Sequence, residues 1–218
     1  MKIPRNSWTL LFPTYAYSIY RYELAKHSGG ADAKARRIIQ HNYGYFAVSL
    51  TLLALVAVFE LQHSLEEPSK LTRWILISFI WIYPVSRIVE IFSAFVRDAL
   101  DKFEPGEPRS SLGFRKRIEL AFFSYMEVIN DFALIYLLLP RCMFRNCYEF
   151  ANVVEAVYYS GVTIATIGYG DISPKHWFPQ LLTLFEVFCG LVLLLVAFTV
   201  YTSEGLAQAQ RSRNRDEA

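Results

Sequence analysis

Tyr158-Tyr159-Ser160-Gly161-Val162-Thr163-Ile164-Ala165-Thr166-Ile167-Gly168-Tyr169-Gly170-Asp171 is the stretch that decides the fold. It completes an apolar segment, about 152–167, that is too short to cross a bilayer, since a span needs about 20 mostly apolar residues. The segment runs into Gly168 and Gly170, separated by a single residue. Irregular backbone at membrane depth is tolerated only where protein or a water-filled cavity surrounds it. The stretch therefore reads as a re-entrant half-helix and loop, and its flanks should supply membrane spans.

Working outward, four stretches qualify as spans: 43–61, 71–96, 118–139 and 180–201. The first has no charge before Glu60, the second contains Pro84, Arg87 and Glu90, and the third carries Glu127, Asn130 and Asp131. Basic residues collect on one side. Lys2, Arg5, Arg21, Lys26, Lys34, Arg36 and Arg37 precede the first span. Arg97, Lys102, Arg109, Arg115, Lys116 and Arg117 lie between the second and third, and Arg211, Arg213 and Arg215 follow the fourth. The other side has Lys70, Arg141, Arg145 and Lys175, with Arg73 at the boundary. Both termini are therefore expected in the cytoplasm of a multi-pass cell-membrane protein, with the short segment entering from outside. Residues 8–22, aromatic and broken by Pro13, suit either a helix in the inner interface or a surface helix packed on the protein.

Composition agrees with this class. Hydrophobic residues make up 54% and charged residues 19%, less charge than a soluble domain carries. Aromatics reach 16%, and Tyr and Trp favour the membrane interface. A net charge of +2 is too small to argue for nucleic acid. Three Cys give neither a disulfide framework nor a zinc pattern. The first eight residues lack the layout of a cleavable signal.

The run from Tyr158 to Asp171, with its Thr166-Ile167-Gly168-Tyr169-Gly170-Asp171 end, resembles the pore helix and signature filter of potassium channels. The resemblance covers about 112–205 and follows that family's plan of helix, re-entrant loop and helix. It implies an all-α membrane protein with four transmembrane helices plus a re-entrant pore helix and filter loop. It divides the chain into a cytoplasmic segment 1–42, an extra helix pair 43–100, a Pro/Gly/Ser-rich linker 101–113, an ion-conducting pore domain 114–205 and a tail 206–218. The permeant ion would be potassium, bound by the carbonyls of Thr166, Ile167, Gly168 and Tyr169 and by the Thr166 hydroxyl. Gly168 and Gly170 allow backbone conformations that a side chain resists. Ile167 and Tyr169 would pack behind the strand. The pore helix points its negative dipole end at the cavity, which favours a cation. Non-selective relatives lose the filter Tyr, and Tyr169 is present. One chain supplies one filter strand and no second copy of the motif, so a ring of carbonyls requires a homotetramer in the lipid bilayer.

The same resemblance assigns supporting residues. Asp171 and Tyr159 should brace the filter from behind, and many relatives have Trp where this chain has Tyr158 and Tyr159. Some bacterial members have an acid where this chain has Val162. Glu186 is expected to make a structural hydrogen bond behind the filter rather than to touch the ion. Gly190 falls where related channels have a hinge, or else it is a close-packing glycine. Leu194, Phe198 and Thr202, at i, i+4 and i+8, form either a hydrophobic gate or packing. Cys142 and Cys147 either close a small disulfide loop or remain free.

The buried charges form a separate group. Counting 1.5 Å per residue from the inner boundary puts Arg87 and Asp131 at one depth, with Glu90 and Glu127 about a turn lower. Arg87 is expected to pair with Asp131, with Glu90 as the alternative. Arg73 and Arg87 do not make the ladder of a voltage sensor. No nucleotide- or calcium-binding domain is expected after the fourth span, where about 204–218 follow. No nucleophile–base pair, metal cluster or phosphate loop is found, so an enzyme is not expected. The competing expectation is a non-conducting regulatory or structural subunit that keeps the pore fold.

Overall fold

The helix 114–137 is the post around which the chain is arranged, and from Glu127 to Leu137 its side chains are almost entirely enclosed. The computed structural model describes residues 12–28, 31–59, 70–101, 112–197 and 213. Within these the main elements are α1 (Pro13–Ser28), α2 (Ala31–Phe59), α3 (Lys70–Asp101), α4 (Phe114–Leu137), α5 (Val153–Ile164) and α6 (Trp177–Leu195). Two short 3-10 turns, Arg141–Met143 and Arg145–Cys147, follow α4. Among the described residues every regular element is helical, as expected. The 102–111 part of the linker, the tail apart from Arg213, and the N-terminal residues through Leu11 lie outside the described residues.

Among the described residues three helices, Asp32–Val58, Arg115–Leu137 and Trp177–Leu195, are long and apolar enough to cross a membrane. Of the four expected spans, the one at 71–96 is not among these three; it lies within α3, which has 32 residues. At 12 residues α5 is too short to span. The core gathers around α4, with Ile88, Ile91 and Phe95 of α3, Leu53 and Val56 of α2, Tyr159 and Ile164 of α5, and Cys189 and Leu193 of α6. α3 also lies along α6, with Trp81 stacked on Phe178 and Phe92 against Phe185 and Phe188.

α1 is packed on the chain, the second of its two readings. The Thr14 backbone N–H donates to Ser86 Oγ at 3.0 Å, and the two hydroxyls lie 2.7 Å apart. Arg97 sits 5.4 Å over the Tyr15 ring. This ties α1 to α3 beside the buried charges.

Those charges pair differently from expectation. Arg87 does not meet Asp131; it clamps Glu127 through both carboxylate oxygens, Nε to Oε1 at 2.7 Å and Nη2 to Oε2 at 3.1 Å. Nη1 lies 3.1 Å from Glu90 Oε2, an ion pair without hydrogen-bond geometry. Nη2 also reaches Asn42 Oδ1, and the guanidinium lies 4.6 Å over the Tyr45 ring. The fork of an arginine suits a carboxylate that can face it squarely, and Glu127 does. Asp131, one turn on, accepts from Ser49 Oγ at 2.8 Å instead, while Glu90 Oε1 is 2.8 Å from His41 Nε2. The acids are thus shared out between α2 and α3, and Arg87 joins α2, α3 and α4 at one point.

Removing one partner of a buried ion pair leaves a charge uncompensated, at about 3–5 kcal/mol. Arg87→Ala and Glu127→Ala are each expected to lower thermal stability strongly in detergent, and the double variant should cost much less than their sum. The same cycle with Asp131→Ala should be closer to additive. Equal coupling in both cycles would contradict the observed pairing.

Candidate functional site

The loop after α5 begins with a firmly capped helix. Asn152 accepts from the Glu155 N–H at 3.0 Å, and Glu155 Oε2 accepts from the Ala151 N–H at 2.8 Å and from the Tyr148 hydroxyl at 2.9 Å. These bonds satisfy donors at the helix start and fix its entry. Tyr159, buried, packs among Tyr136, Phe144 and Phe150. Its hydroxyl meets Thr183 Oγ1 at 3.2 Å. Tyr158, on the other side, donates to Asp171 Oδ2 at 2.9 Å and stacks parallel to Tyr169 at 6.5 Å. The brace expected between Tyr159 and Asp171 is therefore made by Tyr158, while Tyr159 anchors α6. The Tyr158 bond holds the Asp171 carboxyl below the usual aspartate range.

The far end of α5 folds back on itself. The Ala165 N–H bonds the Gly161 carbonyl, the Thr166 N–H bonds Thr163, and the Val162 carbonyl accepts from both Ile167 and Gly168, at 2.9 and 3.3 Å. Val162 thus supports the loop with its backbone oxygen. Beyond it, φ is positive at every second residue: +59° at Thr166, +56° at Gly168 and +81° at Gly170. When φ changes sign at alternate residues, successive peptide planes turn to the same side, whereas in an ordinary strand they alternate. Glycine accepts this freely, but a non-glycine residue such as Thr166 is strained by about 1–2 kcal/mol. Such strain concentrates at functional sites. A cavity of about 170 Å³ lies behind the loop, lined by Tyr159, Val162, Thr163 and Thr183 and by the loop itself.

Residues 124–205 match the model of a family described as ion channel. The match supports an ion-channel function. No curated protein and no solved structure matches the chain.

Within the matched region, Glu186 is completely buried and bonded to Tyr136 at 2.7 Å and to Ser160. That is the structural hydrogen bond expected of it. Tyr136, Ser160 and Thr183 received no role from the sequence. Their partners come from other helices, and no spacing within one helix signals them. Of the hinge and gate candidates, Leu194 is exposed, and Phe198 and Thr202 lie outside the described residues. Cys142 and Cys147 are free, exposed thiols. The cluster of Arg87, Glu90, Glu127 and Asp131 belongs to α3 and α4 and is not part of the loop.

Gly190 is a close-packing glycine. A Cβ there would lie 2.5 Å from Ile164 Cγ1 and 3.0 Å from the Ile164 carbonyl oxygen. α6 therefore crosses the end of α5 with no room for a methyl group. Gly190→Ala is expected to destabilise the fold by about 1–3 kcal/mol through overpacking, read as a lowered melting temperature. Ile164→Val should recover little of it, since it removes Cδ1, at 3.4 Å, and leaves Cγ1 and the carbonyl oxygen in place. An undisturbed Gly190→Ala protein would contradict this packing.

Proposed function

We propose that the chain is one subunit of a homotetrameric, potassium-selective channel of the cell membrane, with α3 as a further span and both termini in the cytoplasm. The observation that carries the reading is the alternation of positive φ through Thr166, Gly168 and Gly170. It suits a strand that turns consecutive carbonyls to one side, where they replace the water of an entering ion. The carbonyls of Thr166, Ile167, Gly168 and Tyr169 and the Thr166 hydroxyl are the proposed ligands. Gly170 lets the chain turn outward to Asp171, whose bonded carboxylate keeps negative charge at the mouth. Potassium is the transported ion, and no chemical reaction is proposed.

One such strand offers oxygens on one side only, so a ring needs further copies. The exposure of the single chain fits that need. Ile167 is 53% and Tyr169 68% exposed, and Leu181, Leu184, Phe188 and Leu191 are uncovered on α6. Apolar surface beside a polar loop suits burial against neighbouring subunits. The same faces of α6, further along, would line the pore, with Leu194 as a candidate constriction.

Purified protein in liposomes is expected to pass potassium and rubidium and largely exclude sodium, with block by barium. Comparable sodium and potassium flux would sink the reading. Native mass measurement should find four subunits in the conducting preparation. Gly168→Ala is expected to abolish the flux while assembly persists, because the methyl group meets open space but the backbone, at φ +56°, resists a side chain in every subunit.

A further inference from the structure

Glu186 is placed between three elements that the loop depends on. It comes from α6, one turn before the crossing at Gly190. Its Oε2 accepts from Tyr136 of α4, and its Oε1 meets Ser160 of α5. Ser160 Oγ also donates to the Ile129 carbonyl of α4 at 2.9 Å. All of these groups are buried. Ser160 and Ile164 thus face Glu186 and Gly190 as two successive rungs, one polar and one apolar, along the line where α5 lies on α6.

The position of α5 is passed directly to the loop. Ser160 is two residues before Val162, whose carbonyl holds both the Ile167 and Gly168 N–H groups. A shift of α5 would move that carbonyl and, with it, the peptide planes beyond. Selection between ions of different size depends on where those planes hold their oxygens, or on how freely they move. A carboxyl that pins α5 to both neighbours is therefore placed to influence selection without touching an ion.

The hydrogen inventory adds a chemical requirement. Ser160 has one hydroxyl hydrogen and Tyr136 has one. With the serine hydrogen on the Ile129 carbonyl and the tyrosine hydrogen on Oε2, the contact between Ser160 and Oε1 is complete when the carboxyl brings a hydrogen of its own. A glutamine amide also presents an acceptor oxygen on one side and a donor nitrogen on the other, with one N–H to spare. An alanine offers neither, and it leaves two buried hydroxyls without their partner.

We propose that Glu186 is a positioning residue for ion selection, acting through Ser160 and Tyr136 on the end of α5 that anchors Ile167 and Gly168. The proposal rests on the reading of the loop as a potassium filter, and the test separates the two. Reversal potentials are measured in bilayers with potassium on one side and sodium on the other, on protein first shown to be assembled. The wild type comes first; if it does not discriminate, the potassium reading fails and this inference with it. Given a selective wild type, Glu186→Ala is expected to raise relative sodium permeability by roughly tenfold, the scale of a lost hydrogen bond to a buried polar group. Glu186→Gln should keep the wild-type ratio. An unchanged ratio in assembled Glu186→Ala, or a ratio altered as much in Glu186→Gln, overturns the proposal, because a purely structural contact would change yield and stability and leave the reversal potential alone. If Glu186→Ala does not assemble, Ser160→Ala is read in its place. A shift of roughly threefold is then expected, and no shift overturns the assignment.

Discussion

Backbone that is neither helix nor closed sheet must find partners for its polar groups before it can sit at membrane depth. Residues 165–171 are neither helix nor sheet, and the rest of 124–197 is arranged to supply their partners. The Val162 carbonyl takes two loop N–H groups, and the carbonyls of Gly161 and Thr163 take those of Ala165 and Thr166. These acceptors belong to the last turn of α5, which would otherwise carry unpaired oxygens. The helix end and the loop start therefore satisfy each other. A loop built on a helix end is only as well placed as the helix, which explains the effort spent on fixing α5. It is capped by Asn152 and Glu155, packed through Tyr159, bonded through Ser160 and crossed by Gly190.

α4 answers that need from one side and the first helices from the other. Tyr136 and the Ile129 carbonyl present hydrogen-bonding groups toward α5 and α6. On the same helix, Glu127 and Asp131 present carboxylates toward α3 and α2. The two sets occupy neighbouring turns of one rigid element. The arginine knot and the glutamate knot are thus mounted on a common post, and displacement of α3 would be felt by α4 at Glu127. Phe92, one turn along α3 from Arg87, touches α6 at Phe185 and Phe188 as well.

Much of this was legible in the sequence, for physical reasons that differ by feature. Membrane helices announce themselves because length and apolar character are local properties, so 43–61, 118–139 and 180–201 each overlap an observed helix for most of their length and run past its end, at Phe59, Leu137 and Leu195. The glycines of the loop were legible because positive φ favours a residue without a Cβ, and both have it. Thr166 was not, since its φ of +59° runs against its own preference and is imposed by the loop. Arg87 was correctly expected to be buried and paired, but counting residues gives depth and not azimuth. Asp131 shares its depth, whereas Glu127 shares its side. Gly190 left two readings open because its neighbour, Ile164, comes from another helix, and no pattern within α6 reveals it.

The two adjacent tyrosines show why spacing alone could not assign the brace. Neighbours on a helix point about 100° apart, so Tyr158 and Tyr159 cannot serve the same partner. Tyr159 looks inward among aromatic rings, where its hydroxyl meets Thr183, itself tied to the Pro179 carbonyl of α6 at 2.8 Å. Tyr158 looks along the loop, where its ring lies parallel to Tyr169 and its hydroxyl reaches Asp171. One tyrosine therefore fixes α5 to α6, and the other fixes the outer end of the loop to α5. Because Val162 already holds Ile167 and Gly168, Tyr169 and Gly170 are suspended between two anchors on the same short helix. A strained backbone survives when its surroundings over-determine it, and this double attachment is the local reason that Thr166 can hold a left-handed conformation.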